Sequence, residues 1–346
     1  MSMSMMTAAV LTAYHQPLTV KDVPLPEPGR GEVQLKVLAS GLCMTDIHIR
    51  EGKINTVAPP RIPGHEIAGQ VTAIGPQVSG VTVGESFVVR IDVVCGACRF
   101  CQSGRANLCL NHVRIGFERD GGHAQYVVVP AQNLAPVPQS VPLAQAAVVP
   151  DAVACMLHAL VDQAHVHPGQ TVVLIGLGGL GYQGLQIARH FGASVIGTSR
   201  QQAKRDLALR MGAQGACNSS EQDVRACARE LWGEETADVV VDIVGTPETL
   251  ALSLNVARRG GRAVVVGYEV HQAPFNVYDV MLNEKEIVGA RGSTMENLRE
   301  ALKLVADGTV VPMVTNTYPL PDINRALHDL ETGKITGRAV ITPWSE

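Results

Sequence analysis

The fold of this chain is decided by the stretch Ile175-Gly176-Leu177-Gly178-Gly179-Leu180-Gly181, which follows the strand-like run 171–175 and opens an amphipathic helical stretch. Gly176 permits a tight turn, Gly178 lets the backbone approach a pyrophosphate, and Gly181 brings the helix close to the strand. A helix N-terminus also attracts negative charge. In this strand–turn–helix context, the spacing G-x-G-x-x-G predicts a dinucleotide-binding site.

Strand and helix patterns alternate after this stretch. Such alternation predicts a doubly wound parallel sheet covered on both faces, a Rossmann domain, over residues 151–290. The strand-like runs are 194–198, 237–242, 262–266 and 286–290, and the helical stretches between the earlier ones are 201–211, 224–232 and 247–257.

The flanking parts of the chain have a different texture. From residue 11 to about residue 138 the sequence is rich in glycine, proline and short alternating runs, which predicts an irregular, mostly antiparallel β domain. Residues 291–346 hold two helical patterns and a short strand, 339–342, and we expect this tail to return to the first domain. The expected fold class is α/β.

The end of the second strand of the Rossmann pattern bears on the cofactor. An NAD-preferring site usually has Asp or Glu there, about 20 residues after the glycines. This chain has Ser199 and Arg200 instead, with Lys204 close behind. Because the guanidinium fork suits a phosphate, we favour NADP over NAD, which stays open as the alternative. Gly267, after the strand 262–266, is also predicted to bind the cofactor.

Four cysteines lie in one short loop at the spacing C-x2-C-x2-C-x7-C. Four thiolates fill the tetrahedral coordination of zinc, at Zn–S distances of about 2.3 Å, and leave no open position. The spacing therefore predicts a structural zinc site. Its ligands would be Cys95, Cys98, Cys101 and Cys109.

Composition excludes several classes of protein. The 346 residues exceed the roughly 250–300 at which a single core stops growing, so two domains are expected. A formal net charge of -4 gives no basic excess for binding nucleic acid. We find neither a secretory signal nor an apolar run long enough to span a membrane, and the cysteines suit metal ligation in a reducing compartment. A cytoplasmic protein is expected.

Two further segments combine metal-ligand residue types with turn-forming glycines. Taken alone, Cys43 or His65 would more often be a packed core residue than a ligand. The segments are Gly41-Leu42-Cys43-Met44-Thr45-Asp46-Ile47-His48 and Pro63-Gly64-His65-Glu66-Ile67-Ala68-Gly69.

These segments, the cysteine loop and the glycine fingerprint together resemble the zinc-dependent alcohol dehydrogenases of the medium-chain dehydrogenase/reductase superfamily. The resemblance covers essentially the whole chain, with the motifs in the family's order. It implies a GroES-like, zinc-binding catalytic domain of residues 1–150 and 291–346, with the Rossmann domain, 151–290, inserted. The family pattern G-H-E-x2-G-x5-G-x2-V is met by Gly64, His65, Glu66, Gly69, Gly75 and Val78.

The resemblance implies a second, catalytic zinc, and so two zinc ions per chain. Cys43 and His65 take the positions of the first two ligands. Asp151 stands where the third ligand, commonly a cysteine, would be, and some similar family members use aspartate there. Cys155 remains the alternative third ligand. Glu66 would be a near neighbour able to coordinate transiently.

The same resemblance implies roles around that zinc. Thr45 takes the position of a hydroxyl proton relay and His48 that of its terminal imidazole, with a surface histidine as the lesser alternative for His48. Asp46 resembles the acid that orients the ligand histidine. Arg338 matches a position that reaches the cofactor pyrophosphate, and Ile91 a position in the wall of the substrate pocket.

The function implied is reversible hydride transfer between a primary or secondary alcohol and NADP, or NAD. The protein would be an alcohol dehydrogenase or carbonyl reductase acting on small alcohols, aldehydes or ketones, as a homodimer or homotetramer. A polyol or sugar-alcohol dehydrogenase is the alternative among oxidoreductases. A zinc-free quinone reductase is disfavoured because that branch lacks the cysteine loop. From a different class, a non-catalytic, zinc-stabilised binding protein would hold one zinc rather than two.

Overall fold

The computed structural model describes residues 4–268 and 272–344. Within these residues no helix is long and apolar enough to cross a membrane. The strands are β1 Met5–Val10, β2 Thr19–Pro24, β3 Glu32–Leu42, β4 Glu66–Ile74, β5 Ser86–Val89, β6 Asp92–Val93, β7 Val113–Arg114, β8 Tyr126–Pro130, β9 Leu134–Pro136, β10 Thr171–Ile175, β11 Ser194–Thr198, β12 Gly215–Cys217, β13 Ala237–Asp242, β14 Ala257–Val265, β15 Glu286–Gly289, β16 Val314–Pro319 and β17 Arg338–Thr342.

The helices are mostly short and lie between these strands. They are α1 Met44–Arg50, α2 Arg99–Gln102, α3 Leu143–Ala147, α4 Ala154–Leu157, α5 Gly181–His190, α6 Gln202–Arg210, α7 Val224–Trp232, α8 Pro247–Val256, α9 Val277–Leu282, α10 Met295–Ala306 and α11 Ile323–Glu331. Two π-helical turns, Val149–Val153 and His158–Gln163, flank α4.

The chain divides into two compact units. The first is Met1–Ala154, Ser293–Asp307 and Pro312–Glu346, and the second is Cys155–Gly292 with Gly308–Val311. The predicted boundaries, 150/151 and 290/291, lie four and two residues before the corresponding divisions at 154/155 and 292/293. Asp151 therefore falls in the first unit rather than in the second.

The second unit contains a six-stranded parallel sheet in the order β12-β11-β10-β13-β14-β15. Its central strand, β10, reads Thr-Val-Val-Leu-Ile, and four of the five residues are buried. Such β-branched, apolar runs are typical of parallel strands with both faces covered. This is the expected Rossmann arrangement, and the carboxyl ends of β10 and β13 lie side by side, as Ile175 pairs with Asp242.

The first unit contains a seven-stranded sheet whose pairs are antiparallel except for β16 with β17. The eleven-residue strand β3 is its axis, because β4, β8 and β17 all pair with it. The tail of the chain thus returns to this sheet through β17. The pairing of Gly41 with Glu66 brings the end of β3 next to the beginning of β4.

Candidate active site

The first unit brings together four potential metal ligands, which are mostly buried: Cys43, His65, Glu66 and Asp151. We call this group the open cluster. One ligand atom from each residue lies within 4.8 Å of all the others. Cys43 caps helix α1 just after β3, and His65 directly precedes β4, so the pairing of these two strands places them together. Asp151 lies in the π-helical turn Val149–Val153.

The chemistry of these donors fits a divalent cation. A thiolate, an imidazole and a carboxylate are zinc ligands, and a catalytic site uses three of them. Burial raises the pKa of Glu66, and the nearby Asp151 and Cys43 charges add to this effect. Burial alone would lower the pKa of His65, but Asp46 and Cys43 raise it to about 10. Arg338 opposes the effect on Glu66, but the charges of Cys43 and Asp151 act on both groups in a buried space, where a bound cation would offset them.

Arg338 belongs to this cluster. Its guanidinium is buried, with Nη2 2.7 Å from Asp151 Oδ2 and 3.0 Å from Glu66 Oε1. Burial would lower the pKa of Arg338, but Glu66, Cys43 and Asp151 raise it above its ordinary range. Arg338 therefore supplies one positive charge against up to three negative ones. The predicted contact of Arg338 with a pyrophosphate stays a prediction, since its guanidinium is engaged with these carboxylates.

Asp46 lies behind His65. Its Oδ1 is 3.7 Å from His65 Nδ1, and its Oδ2 accepts a hydrogen bond of 2.9 Å from the Cys43 backbone N–H. Burial alone would raise the pKa of Asp46, but His65 and His123 lower it, and Asp46 stays ionised. With Nδ1 directed at Asp46, the other ring nitrogen of His65 is the one left for a metal.

The predicted proton-relay residues lie on helix α1. Thr45 is half-buried, with Oγ1 3.6 Å from Cys43 Sγ, and His48 is half-buried one helical turn later. Cys155 is buried and belongs to neither ligand cluster in the described part of the chain, which favours Asp151 as the third ligand. Ile91 is half-buried against an apolar core cluster that includes Phe117.

The four cysteines of the loop 95–109, the cysteine cage, also lie together. Sγ–Sγ distances are 3.5 Å for Cys95–Cys109, 3.6 Å for Cys98–Cys101 and 4.0 Å for Cys95–Cys101. A zinc tetrahedron with bonds of about 2.3 Å has edges of about 3.8 Å, so the spacing fits. Backbone N–H groups of Leu110 and Cys101 lower the pKa of the Cys98 thiol to about 6, which favours the thiolate.

The second unit presents the glycine fingerprint at the carboxyl end of β10. Gly176 has φ +107°, and a Cβ on Gly181, the first residue of α5, would lie 2.2 Å from the Gly176 carbonyl oxygen. A Cβ on Gly178 would meet nothing within 4 Å, so a ligand can approach that backbone. Gly179 and Leu180 complete this loop. Gly267 follows β14 and donates its N–H to the Asp242 carbonyl at the same edge of the sheet.

The residues predicted to select the cofactor follow β11, which pairs with β10. Arg200 is exposed, and Ser199 and Lys204 are half-buried. Arg205 fixes this loop, because its Nη1 donates to the backbone oxygens of Ser199 at 2.6 Å and Arg200 at 3.0 Å. Burial lowers the pKa of Lys204.

Sequence reasoning missed three residues of the open cluster's surroundings. His123 and Ser40 are fully buried, and His123 Nε2 lies 3.4 Å from Asp46 Oδ1. Phe117 packs against His65, with ring centroids 5.3 Å apart. A histidine flanked by Gly122 was the one available signal, but nothing in the sequence connects it to Asp46.

Comparison with known proteins finds relatives over nearly the whole chain. Residues 29–139 match the family described as alcohol dehydrogenase GroES-like domain, and residues 179–307 match the family described as zinc-binding dehydrogenase. An alcohol dehydrogenase of Geobacillus stearothermophilus is 32% identical over 339 residues, covering 97% of this chain and 99% of that relative. An L-threonine 3-dehydrogenase of Anaeromyxobacter sp. (strain K) is 32% identical over 331 residues, 92% of this chain and 93% of that relative.

Solved structures show the same likeness. AibC has 36% identity and a TM-score of 0.92, over 99% of this chain and 97% of its own. A zinc-binding dehydrogenase from Sinorhizobium meliloti 1021 with NADP bound has 30% identity and a TM-score of 0.90, over 98% and 100%. Acetophenone reductase from Geotrichum candidum NBRC 4597, solved with NAD, has 33% identity and a TM-score of 0.89, over 99% of each chain.

The two units and the two ligand clusters define an oxidoreductase with a GroES-like unit, a Rossmann unit and zinc-binding residues. The chain belongs to the zinc-dependent alcohol dehydrogenase family of the medium-chain dehydrogenase/reductase superfamily. The alternative of a non-catalytic binding protein is set aside by this membership.

Proposed function

We propose that this chain is an NADP-preferring, zinc-dependent alcohol dehydrogenase or carbonyl reductase that acts on small, mainly apolar substrates. The observation that carries the proposal is the buried cluster of a thiol, an imidazole and a carboxylate within 4.8 Å of one another. Because the second unit carries a dinucleotide-binding fingerprint, we assign this cluster a role in hydride transfer. A purely structural zinc would need only the cysteine cage and would not explain the second cluster.

In this proposal Cys43, His65 and Asp151 hold the catalytic zinc, and Glu66 lies beside them. When bound, zinc polarises the substrate oxygen and the nicotinamide carries the hydride. The protein's own contribution is orientation and charge. Asp46 fixes the ring of His65, and Arg338 neutralises part of the charge of Asp151 and Glu66, at 2.7 and 3.0 Å.

Alcohol oxidation also releases a proton, and Thr45 and His48 are the proposed path for it. The Thr45 hydroxyl lies beside Cys43, and a hydroxyl can accept and donate a proton at once. His48 is three residues further along α1, on the same face of the helix. An imidazole exchanges protons with water near neutral pH, which suits the end of the path.

The preference for NADP is supported by the residues after β11. Arg200 is exposed, and the backbone oxygen of that residue is fixed by Arg205. A guanidinium can bind a phosphate with two hydrogen bonds, whereas an NAD site would need an acceptor for the ribose hydroxyl. Similar structures carry either NADP or NAD, so the likeness alone does not decide between them.

An apolar substrate is supported by the surroundings of the open cluster. Ile91 packs on the core cluster that contains Leu42 and Phe117, and Phe117 covers the ring of His65. In this proposal Ile91 forms part of the pocket wall, and its aliphatic side chain offers no partner to the hydroxyls of a polyol, at a cost of about 1–3 kcal/mol for each unpaired hydroxyl. We therefore place a simple alcohol or ketone ahead of a sugar alcohol.

The test is a panel of primary, secondary, aromatic and polyhydroxylated alcohols, with matching carbonyls, assayed with NADPH and NADH. We expect kcat/KM with NADPH to exceed that with NADH by about 10-fold or more, because a charged hydrogen bond contributes about 1.5–3 kcal/mol. Arg200→Ala should remove most of this preference, and Arg210→Ala, which removes an exposed cation at the end of α6, should not. Equal use of NADH by the wild type would contradict the cofactor proposal.

A homo-oligomer, dimer or tetramer, is also proposed. Helix α9 exposes Val277, Tyr278, Met281 and Leu282 by 55–68%, directly before the edge strand β15. Clustered apolar side chains beside the last strand of a sheet are typical of association surfaces. Light scattering of the purified chain would decide, and a monomeric mass would contradict the proposal. A cytoplasmic location stays a prediction.

A further inference from the structure

Four buried polar side chains form a continuous line behind the open cluster: Ser40, His123, Asp46 and His65. Ser40 Oγ lies 3.0 Å from His123 Nδ1, and His123 Nε2 lies 3.4 Å from Asp46 Oδ1. Asp46 Oδ1 in turn lies 3.7 Å from His65 Nδ1. All four residues are at most 3% exposed. One carboxylate oxygen therefore faces two imidazoles, of which only His65 is a proposed metal ligand.

The main chain fixes His123 in this position. The segment 121–123 is bound to the segment 62–64 by three backbone hydrogen bonds: Gly121 N to Ile62 O at 2.8 Å, Gly122 N to Gly64 O at 2.8 Å and His123 N to Pro63 O at 3.0 Å. These three hydrogen bonds place the imidazole of His123 next to Gly64, the residue that precedes His65.

Gly64 shows how tight this packing is. A Cβ on Gly64 would lie 2.7 Å from His123 Nδ1 and 2.7 Å from its backbone nitrogen, and Gly64 has φ +97°. A side chain at this position would therefore displace His123 as well as strain the backbone. The imidazole of His123 can occupy its place only because residue 64 is a glycine.

The polar atoms that face the rings of His65 and His123 determine the tautomers of these two residues. The ionised Asp46 can only accept, so each ring nitrogen that faces it is best filled by an N–H. His123 then directs an N–H from Nε2 toward Asp46, and its Nδ1 can accept a hydrogen bond from the Ser40 hydroxyl. His65 likewise directs an N–H from Nδ1 toward Asp46. Within the described part of the chain, Asp46 Oδ1, His65 Nδ1 and His123 Nε2 are buried and make no hydrogen bond of good geometry, so the two imidazoles and the carboxylate are one another's nearest polar neighbours at 3.4 and 3.7 Å.

We propose that His123 is a positioning residue for the catalytic zinc: by holding Asp46 from behind, it fixes the ring orientation of His65. The inference rests on the proposed function only in requiring that zinc binds at Cys43, His65 and Asp151. Asp46 is then anchored at three points, by the Cys43 backbone N–H on Oδ2 and by the two imidazoles on Oδ1. Mutation of a residue that orients a metal ligand in this way commonly weakens metal affinity by about 10- to 100-fold.

The test measures metal affinity rather than turnover. Zinc is removed from the open cluster by a graded series of chelator concentrations, and the zinc of the cysteine cage serves as an internal reference. His123→Phe should weaken zinc binding at the open cluster by about 10- to 100-fold and leave the cage zinc unchanged. His123→Gln, which retains an N–H near the position of Nε2, should restore most of the affinity. Ser40→Ala should weaken binding in the same direction but less.

A spectroscopic readout separates orientation from general loss of stability. Cobalt placed in the open cluster reports ligand geometry through its visible absorption, and thermal unfolding of the zinc-depleted protein reports stability. We expect His123→Phe to change the cobalt spectrum and His123→Gln to return it toward the wild type, at similar unfolding temperatures. Should His123→Phe fail to fold, His123→Gln and Ser40→Ala still rank the affinities.

Equal zinc affinity and equal cobalt spectra in wild type and His123→Phe would overturn the inference. So would a His123→Gln variant as weak as His123→Phe, because the donated hydrogen bond would then be irrelevant. A wild-type protein that binds zinc at the cage alone would instead overturn the proposed function, so the two failures are distinguishable.

Discussion

The two metal-ligand clusters of the GroES-like unit are built in opposite ways. The cysteine cage takes all four thiols from the segment 95–109, and its members range from exposed to buried. The open cluster takes its proposed zinc ligands from three distant places, Cys43, His65 and Asp151, and Arg338 offsets part of its charge. The cage is a local structure, whereas the open cluster exists only when β3, β4 and the turn around Asp151 have assembled.

This difference predicts what each cluster contributes. Four thiolates leave zinc no position for a substrate, so the cage can only hold its loop together. The open cluster has three proposed ligands in a mostly buried setting, so its loss should affect chemistry more than folding. Variants that remove one ligand from either cluster test this division directly.

The largest effect is expected from His65→Ala. Zinc content should fall from about two to about one per chain, and kcat/KM should fall by about 10³-fold or more, since the metal contributes several kcal/mol to the transition state. Elemental analysis and steady-state kinetics are the measurements. Asp151→Cys is the matched control, because a thiolate is itself a zinc ligand and should retain both zinc ions. A His65→Ala protein with two zinc ions and wild-type activity would disprove the ligand assignment.

A smaller effect, on stability rather than on catalysis, is expected from Cys101→Ser. Cys101 Sγ lies 3.6 Å from Cys98 Sγ and 4.0 Å from Cys95 Sγ, so the change removes a central ligand of the cage. We expect loss of the cage zinc and a decrease in Tm of about 10 °C, because metal binding stabilises the folded loop. Zinc at the open cluster should remain.

Cys227→Ser is the control for this change, since Cys227 is half-buried and outside both clusters. Calorimetry of the three proteins is the measurement. An unchanged Tm in Cys101→Ser would mean that the cage contributes nothing to folding, and the contrast between the clusters would fail.

The contrast between local structure and structure assembled from distant segments also explains which features could be predicted from the sequence. The Rossmann fold was predictable because its pattern is local, and helix α7 has the predicted bounds, Val224–Trp232. The strand β12 was missed, since Gly215-Ala216-Cys217 has neither length nor alternation. The start of β14 was also missed, because Arg258 to Gly261 are polar or glycine and resemble a turn.

The candidate site divides in the same way. The cysteine cage follows from spacing alone, whereas Cys43, His65 and Asp151 needed the family resemblance to be connected. Neither source pointed to His123, because its contact with Asp46 arises from the backbone pairing of two loops. The position of Arg338 against Glu66 and Asp151 depends on β17 joining β3, which the sequence suggested only as a return of the tail.

The smallest effect concerns the outer layer of the open cluster. The Arg114 guanidinium lies 4.0 Å from the ring of Phe117, which packs on His65, and Glu118 forms an ion pair with Arg114. Burial would raise the pKa of Glu118, but hydrogen bonds from Arg114 and Thr56 lower it from 4.5 to about 2. The stabilisation is therefore complete above the unfolded-state pKa of 4.5 and is lost as the pH falls toward about 2.

Glu118→Gln should lower the free energy of unfolding by about 1 kcal/mol at pH 7, a discounted value because the pair is partly exposed. The difference from the wild type should shrink as the pH falls below 4.5 and vanish near 2. Denaturant titrations between these limits and neutrality are the measurement, with Glu300→Gln, which breaks an exposed pair with Lys303, as the control. A constant difference across the range would show that the ion pair is not its source, and that the layer over His65 is held by packing of Phe117 alone.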